Sequence, residues 1–135
     1  IKIEKQNFKG ETFVIKADEL EEDKIKKRIH FKNSVTILKN DDTTTKIFSG
    51  FAVVNNNYQD FNLSNEVKII NNKKNLVLKT ENLNGHFKNG SMFTEKKVNL
   101  KIRNIYIYGQ GLKFLNHGEY IKVFGKAKLI TKQND

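Results

Sequence analysis

The chain contains no cysteine, no proline and no tryptophan, and a single methionine. Without cysteine there is no disulfide framework, no thiolate metal site and no cysteine nucleophile. Without proline, chain reversal falls to asparagine, aspartate and glycine, and clusters at 40–42, 55–57 and 71–75 supply that turn chemistry. Arginine is scarce too: Arg28 and Arg103 are the only two, so a net charge of +10 is carried almost wholly by lysine. No apolar run approaches the roughly 20 residues of a membrane-spanning helix, and no signal-peptide pattern is present. Helical periodicity is also missing. The stretch from Glu19 to Arg28 offers only Leu20 and Ile25 for a buried helical face, so no helix is expected there.

What the sequence has is a period of two, stated most clearly near its end. Ile121, Val123, Gly125, Ala127 and Leu129 share one parity, and Lys122, Phe124, Lys126 and Lys128 share the other. One face of such a strand is apolar and the other mostly cationic. The same line recurs upstream in Ile29, Phe31, Asn33, Val35 and Ile37, in Phe61, Leu63, Asn65, Val67 and Ile69, and in Val98, Leu100 and Ile102. Val35, Val67, Val98 and Ala127 then fall at steps of 32, 31 and 29 residues. Asn33, Asn65 and Gly125 occupy the position two before, as residue types that accept a left-handed backbone at a corner.

A second line alternates with the first. Ala17, Gly50, Thr80 and Gly111, at steps of 33, 30 and 31, each have an apolar residue three places on: Leu20, Val53, Leu83 and Phe114. Short apolar runs precede them (Phe13 to Ile15, Ile47 with Phe48, Leu76 to Leu78, Ile105 to Tyr108). A small residue followed by a three-residue step breaks alternation where a strand turns a corner. The expectation is four copies of a unit of roughly 31 residues, each with two bent strands, preceded by a first edge strand over Ile1 to Phe8 and a turn at Lys9 and Gly10.

Length supports one domain over residues 1–135, while 37% hydrophobic content and a mean hydropathy of −0.63 leave only a narrow buried face. The predicted fold class is all-β: an elongated antiparallel β-jellyroll of two sheets packed on their apolar faces, growing along its axis. Open sheet edges at its two ends invite strand addition by a similar partner. Inside, bulky residues (Phe31, Phe48, Leu78, Phe114) alternate with small ones (Ala17, Gly50, Gly111, Ala127). Either an apolar trough or a fully packed dry core satisfies that pattern.

Signatures of catalysis are absent. His30, His86 and His117 fall in three different repeats with no metal-ligand spacing, and no serine sits in a GxSxG elbow. Gly109 and Gly111 form a GxG between two strands rather than before a helix, so they cradle no phosphate. The acidic run Asp18 to Asp23 lacks EF-hand spacing and reads as a solvated connection. The sequons at Asn62 and Asn89 are weak matches in an asparagine-rich chain. A nucleic-acid module is disfavoured: there is no RNP1 line, arginine is scarce, and the lysines are spread over all four repeats. No enzyme activity, metal or cofactor is expected. The lysine excess suits an anionic partner, compositional bias or edge protection equally.

Two stretches carry a family resemblance. Thr12 to Asp18, TFVIKAD, resembles the opening "aromatic or small, then I-x-A-D" signature of the LptC family of lipopolysaccharide export proteins. Gly109 to Leu129, GQGLKFLNHGEYIKVFGKAKL, is similar to that family's closing line, and the repeat phase agrees from Phe8 to Ile130. Related repeats also occur in LptA and in the N-terminal domain of LptD, so an LptA-like bridge protein stays open beside LptC. The resemblance implies a periplasmic β-jellyroll held at the inner membrane by one N-terminal helix, expected just before Ile1. It also implies a carrier that receives lipopolysaccharide from the ABC transporter LptB2FG at its N-terminal edge and passes it to LptA at its C-terminal edge.

Carried onto this chain, acyl-chain contacts are expected at the inward set Ile15, Ala17, Phe31, Val35, Ile37, Phe48, Val67, Ile69, Leu78, Val98, Leu100 and Phe114. LptA docking is expected at the last edge through Tyr120, Ile121, Val123, Ala127 and Leu129. The corner position usually held by glycine in the family is asparagine in two repeats here. A structural adaptor that links partners by strand addition, without binding lipid, is the reading from another class.

Overall fold

The computed structural model describes residues 1–6, 12–55, 57, 59–86, 90–115 and 119–132. These form strands β1 (Lys2–Gln6), β2 (Thr12–Lys16), β3 (Glu19–Asp23), β4 (Arg28–Asn40), β5 (Thr43–Asn55), β6 (Asp60–Asn71) and β7 (Leu76–His86). After them come β8 (Ser91–Thr94), β9 (Val98–Ile102), β10 (Ile105–Gly109), β11 (Gly111–Leu115), β12 (Tyr120–Phe124) and β13 (Lys128–Thr131). No helix occurs among the described residues. The expected first strand is present over Lys2–Gln6, while Phe8, Lys9, Gly10, Asn89 and His117 lie outside the described residues.

All pairings are antiparallel. Four strands, β4 to β7, are long enough to run through a corner and belong to two layers. The other bent lines are broken there into the short pairs β2/β3, β8/β9, β10/β11 and β12/β13. Eight bent lines result, two for each of the four repeats. Sheet I runs β1-β2-β4-β5-β6-β7-β9-β10-β13, using the halves of the long strands that include 34–40, 43–48, 67–71 and 76–80. Sheet II runs β3-β4-β5-β6-β7-β8-β11-β12 through the other halves. At about 4.8 Å per neighbouring strand, the nine strands of sheet I span roughly 38 Å. This is an antiparallel β-jellyroll, longer across its strands than along them.

Register fixes which side chains face between the sheets. In sheet I one inward row reads Ile3, Ile15, Thr36, Ile47, Ile69, Leu78, Leu100, Ile107, Leu129 across nine strands. In sheet II the row Ile29, Val54, Phe61, Gly85, Met92, Phe114, Ile121 runs opposite. Leu76, Leu78, Leu83 and Leu112 are wholly buried, each contributing about 1.5–3 kcal/mol by removal from water. One hydrophobic core joins residues of both layers.

The corners decide parity. Three of the alternating lines make the expected three-residue step in modified form or as drawn: Ala17 to Leu20, Thr80 to Leu83, and Gly109 to Leu112 in place of Gly111 to Phe114. In β5 the step runs from Ser49 to Ala52, which leaves Val53 facing outward beside His30 and Asn62. Among the other lines, β6 turns with two left-handed residues, Asn65 (φ 66°) and Glu66 (φ 54°), so Leu63 and Val67 stay on the same face. The line from β12 to β13 does the same with Gly125 (φ 74°) and Lys126 (φ 57°).

β4 differs, and here the expectation is corrected. It turns with one left-handed residue, Asn33 (φ 52°), so parity switches and Ser34 and Thr36 are buried in place of their neighbours. Val35 and Ile37 therefore lie on the outer face of sheet I. Phe48 joins them, because it pairs with Val35 while the adjacent Ile47 points inward. The register shifts on both sides of β6, between Phe48 and Phe51 and between Ser64 and Val67, are the trace of its extra corner residue.

Candidate functional site: the cleft between the sheets

Along the corner the cleft is closed by polar groups. The hydroxyls of Ser34 and Ser49, both buried, share a hydrogen bond of 2.8 Å. Thr80 donates to the Lys97 carbonyl at 2.9 Å, and the Lys96 amide donates to Thr94 Oγ1 at 3.1 Å. Asn33 donates from Nδ2 to the Asp18 carboxylate at 2.8 Å, and the Asp18 amide donates to the Lys32 carbonyl at 2.9 Å. Thr80 and Thr94 supply partners to backbone groups that the turning chain leaves outside the ladder, whereas the two serine hydroxyls satisfy each other. No buried side-chain nitrogen or oxygen among the described residues is left unpartnered.

Away from the corner the cleft is apolar. One interior space is lined by Ile15, Thr36 and Ile47 from sheet I and by Phe31, Ala52, Val54, Phe61 and Leu63 from sheet II. That space is a cavity of about 10 Å³, room for no more than one water. The interior is thus close-packed, and the packed-core alternative describes this conformation. Gly85 lies directly opposite Phe61 and leaves the space that the aromatic ring fills.

Of the twelve inward residues expected, Ile15, Phe31, Val67, Ile69, Leu78, Val98, Leu100 and Phe114 are buried between the sheets. Ala17 is half-buried and packs against that core. Val35, Ile37 and Phe48 are not part of the cleft. Sequence reading had no place in the cleft wall for Ala52 or Thr36; the hydroxyl of Thr36 hides in a strand whose apolar residues sit on the wrong parity.

At the C-terminal end the cleft is uncovered. Leu129 completes the inward row of sheet I yet is 60% exposed, because among the described residues no strand pairs with β13 on its far side. Ile121 and Val123 on β12 are half-buried, Tyr120 is exposed and outward, and Ala127 is exposed in the corner between β12 and β13. β12 and β13 are the edges of the two sheets, so their outer backbone groups face an open side.

The remaining candidates have structural explanations. The acidic run forms β3, and Asp23 accepts amide hydrogens from Ile25 and Lys26 at 3.0 Å. The Lys26 amide, chiefly, holds the Asp23 carboxyl below the ordinary aspartate range. Asn71 closes the equivalent turn of sheet I by accepting from the Lys74 amide. His86 is paired with Asp60 on the outer face of sheet II. Among the described residues no group of three or more potential metal ligands converges, and no helix is long and apolar enough to cross a membrane.

A family model described as lipopolysaccharide-assembly, LptC-related matches residues 7–131. No curated protein matches the chain by sequence. Among solved structures, that of LptH from Pseudomonas aeruginosa, titled the LptA homologous periplasmic component of the conserved lipopolysaccharide transport device, superposes with a TM-score of 0.70. The match covers 90% of this chain and 95% of that one at 8% identity, a likeness of fold.

Proposed function

Because the chain belongs to the LptC-related lipopolysaccharide-assembly family, we propose that it is a non-enzymatic section of a lipopolysaccharide transport bridge, holding acyl chains between its two sheets. The observation that carries this reading is the inward apolar row of sheet I, which runs strand by strand from Ile3 to Leu129 and ends uncovered. A partner jellyroll adding its strands to β12 and β13 would extend that row into its own interior. In this reading LptA occupies the C-terminal edge through Tyr120, Ile121, Val123, Ala127 and Leu129, and LptB2FG delivers at the edge made by β1. The protein works in the periplasm, as a single domain anchored at the inner membrane by a preceding helix.

The closed cleft sets a condition on the mechanism. A cavity of about 10 Å³ admits no acyl chain, so the sheets must part on the side away from the corner, with the hydrogen bonds of Ser34, Ser49 and Thr80 as the hinge. Each acyl methylene taken up contributes about 0.8 kcal/mol, which offsets the apolar packing that the parting sheets give up. Hold is therefore modest, as onward transfer requires. In-cell photocrosslinking tests the reading, with a benzophenone side chain at Phe31, at Leu78, or at the outward Lys32. Lipid adducts from the two inward sites and not from Lys32 are expected; a folded, assembled protein without inward adducts would sink the carrier. The close-packed interior then favours the second reading, an adaptor that joins partners by strand addition alone.

A further inference from the structure

The lysines that look scattered in sequence converge in space. On the outer face of sheet I one register row carries Lys2, Lys16, Lys68, Lys79 and Lys128, with Val35, Phe48, Asn99 and Tyr108 between them. The next row adds Lys46 and Lys101 beside Tyr106, and Glu4 is the one carboxylate in the two rows. Lys101 and Lys132 lie over the Tyr106 ring at 5.5 and 4.6 Å from its centroid. Each repeat adds one or two lysines to this face, so only strand pairing assembles it. The outer face of sheet II mixes signs, with Glu19, Glu21 and Asp60 alongside Lys32, Lys113 and Lys122.

Edge protection does not explain the cationic face, because Lys68 and Lys79 stand on central strands. They are also directly opposite each other, as are Lys2 and Lys16, and like charges so placed destabilise a sheet. Among the described residues the seven lysines of these rows make no ion pair; the pairs found there are Lys73 with Asp42 and His86 with Asp60. Lysine is a compact, hydrated point charge without arginine's fixed fork, suited to many mobile anions rather than one rigid phosphate. Tyrosines and apolar side chains between the cations match the amphipathic boundary of a bilayer.

We propose that the outer face of sheet I is a docking surface for a membrane leaflet rich in anionic lipid headgroups. About 38 Å across its strands and nearly free of carboxylates, it lays its lysines on the headgroups while Tyr106, Tyr108 and Phe48 approach the interface. This surface is separate from the cleft, and the inference stands whether or not acyl chains enter there.

Vesicle flotation tests it, using phosphatidylcholine vesicles and vesicles of phosphatidylcholine with an equal part of phosphatidylglycerol. The protein is expected to float with the second and not the first, and to be released as salt screens the attraction. Lys68→Glu should lower binding at least about fivefold, although it turns a like-charge cross-strand pair into an opposite-charge one and should raise Tm. Lys113→Glu is the matched control: Lys113 also faces a lysine, Lys122, but on sheet II. It should leave vesicle binding unchanged while raising Tm in the same way. Equal loss in both variants, no binding to anionic vesicles at low salt, or tighter binding to duplex DNA than to the vesicles would each overturn the proposal.

Discussion

Substituting Gly85 by alanine tests how tightly the cleft wall is built. Gly85 in β7 is buried and faces Phe61 in β6, itself only 7% exposed. A methyl group placed on Gly85 would press hardest on Cζ of the Phe61 ring and lie 2.6 and 2.7 Å from its Cε1 and Cε2, where ordinary contact begins at 3.4 Å. The ring must then retreat by at least the difference, about 0.8 Å, into a wall whose free space is about 10 Å³. Overpacking of this kind costs about 1–3 kcal/mol, which for a chain of this length lowers Tm by roughly 3–5 °C per kcal/mol. Thermal unfolding followed by circular dichroism reads the loss. The diagnosis is checked by Phe61→Leu, which alone destabilises by leaving space but in the Gly85→Ala background should recover much of the loss. A Gly85→Ala protein as stable as the parent, or strictly additive single substitutions, would show that the added methyl and the Phe61 ring do not compete for the same space.

The buried hydroxyl pair at the hinge gives a prediction of sign. Ser34→Ala or Ser49→Ala alone should cost about 1–3 kcal/mol by stranding the other hydroxyl, whereas the double substitution should be close to neutral; denaturant midpoints of the three variants decide. Leu78→Ala, at a wholly buried site, should cost about 2–5 kcal/mol and enlarge the cleft, so apolar-dye uptake should rise as stability falls. Asp23 titrates with a known direction. Its carboxyl is held low in the folded chain by the Lys26 amide, so its contribution is present above the unfolded-state pKa and lost as pH falls through the folded one. The Lys26 amide resonance should therefore shift with a midpoint below the ordinary aspartate value, and Asp23→Asn should abolish that transition.

How much of this was legible in the sequence depends on what carried the signal. The repeat, the eight bent lines and the antiparallel class follow from apolar periodicity, and Asn33, Asn65 and Gly125 announce the corners because few residue types tolerate a left-handed backbone. The number of left-handed residues at each corner was not legible. Glu66 and Lys126 take positive φ without belonging to the types that favour it, and Asn33 turns β4 alone. One residue more or less reverses every side chain beyond it, which is why alternation alone points Val35, Ile37 and Phe48 inward while Ser34 and Thr36 are the buried ones. In β4 both parities are apolar enough to mislead, and the satisfied hydroxyl pair resolves the choice only in three dimensions. The cationic face was missed for a related reason: one lysine per strand is ordinary until register aligns them.

In the proposed mechanism acyl chains enter between sheets that part about the corner. Spin labels at His30, on the outer face of sheet II away from the corner, and Lys46, on the outer face of sheet I, report the separation of the layers, which close-packed sheets hold near 10 Å before label length is added. Adding lipopolysaccharide should lengthen the measured distance by several ångströms, on the order of one acyl-chain width, a good fraction of that sheet spacing. An unchanged distance in a sample shown to have bound lipopolysaccharide would exclude parting of the sheets and move the lipid to another surface of the molecule.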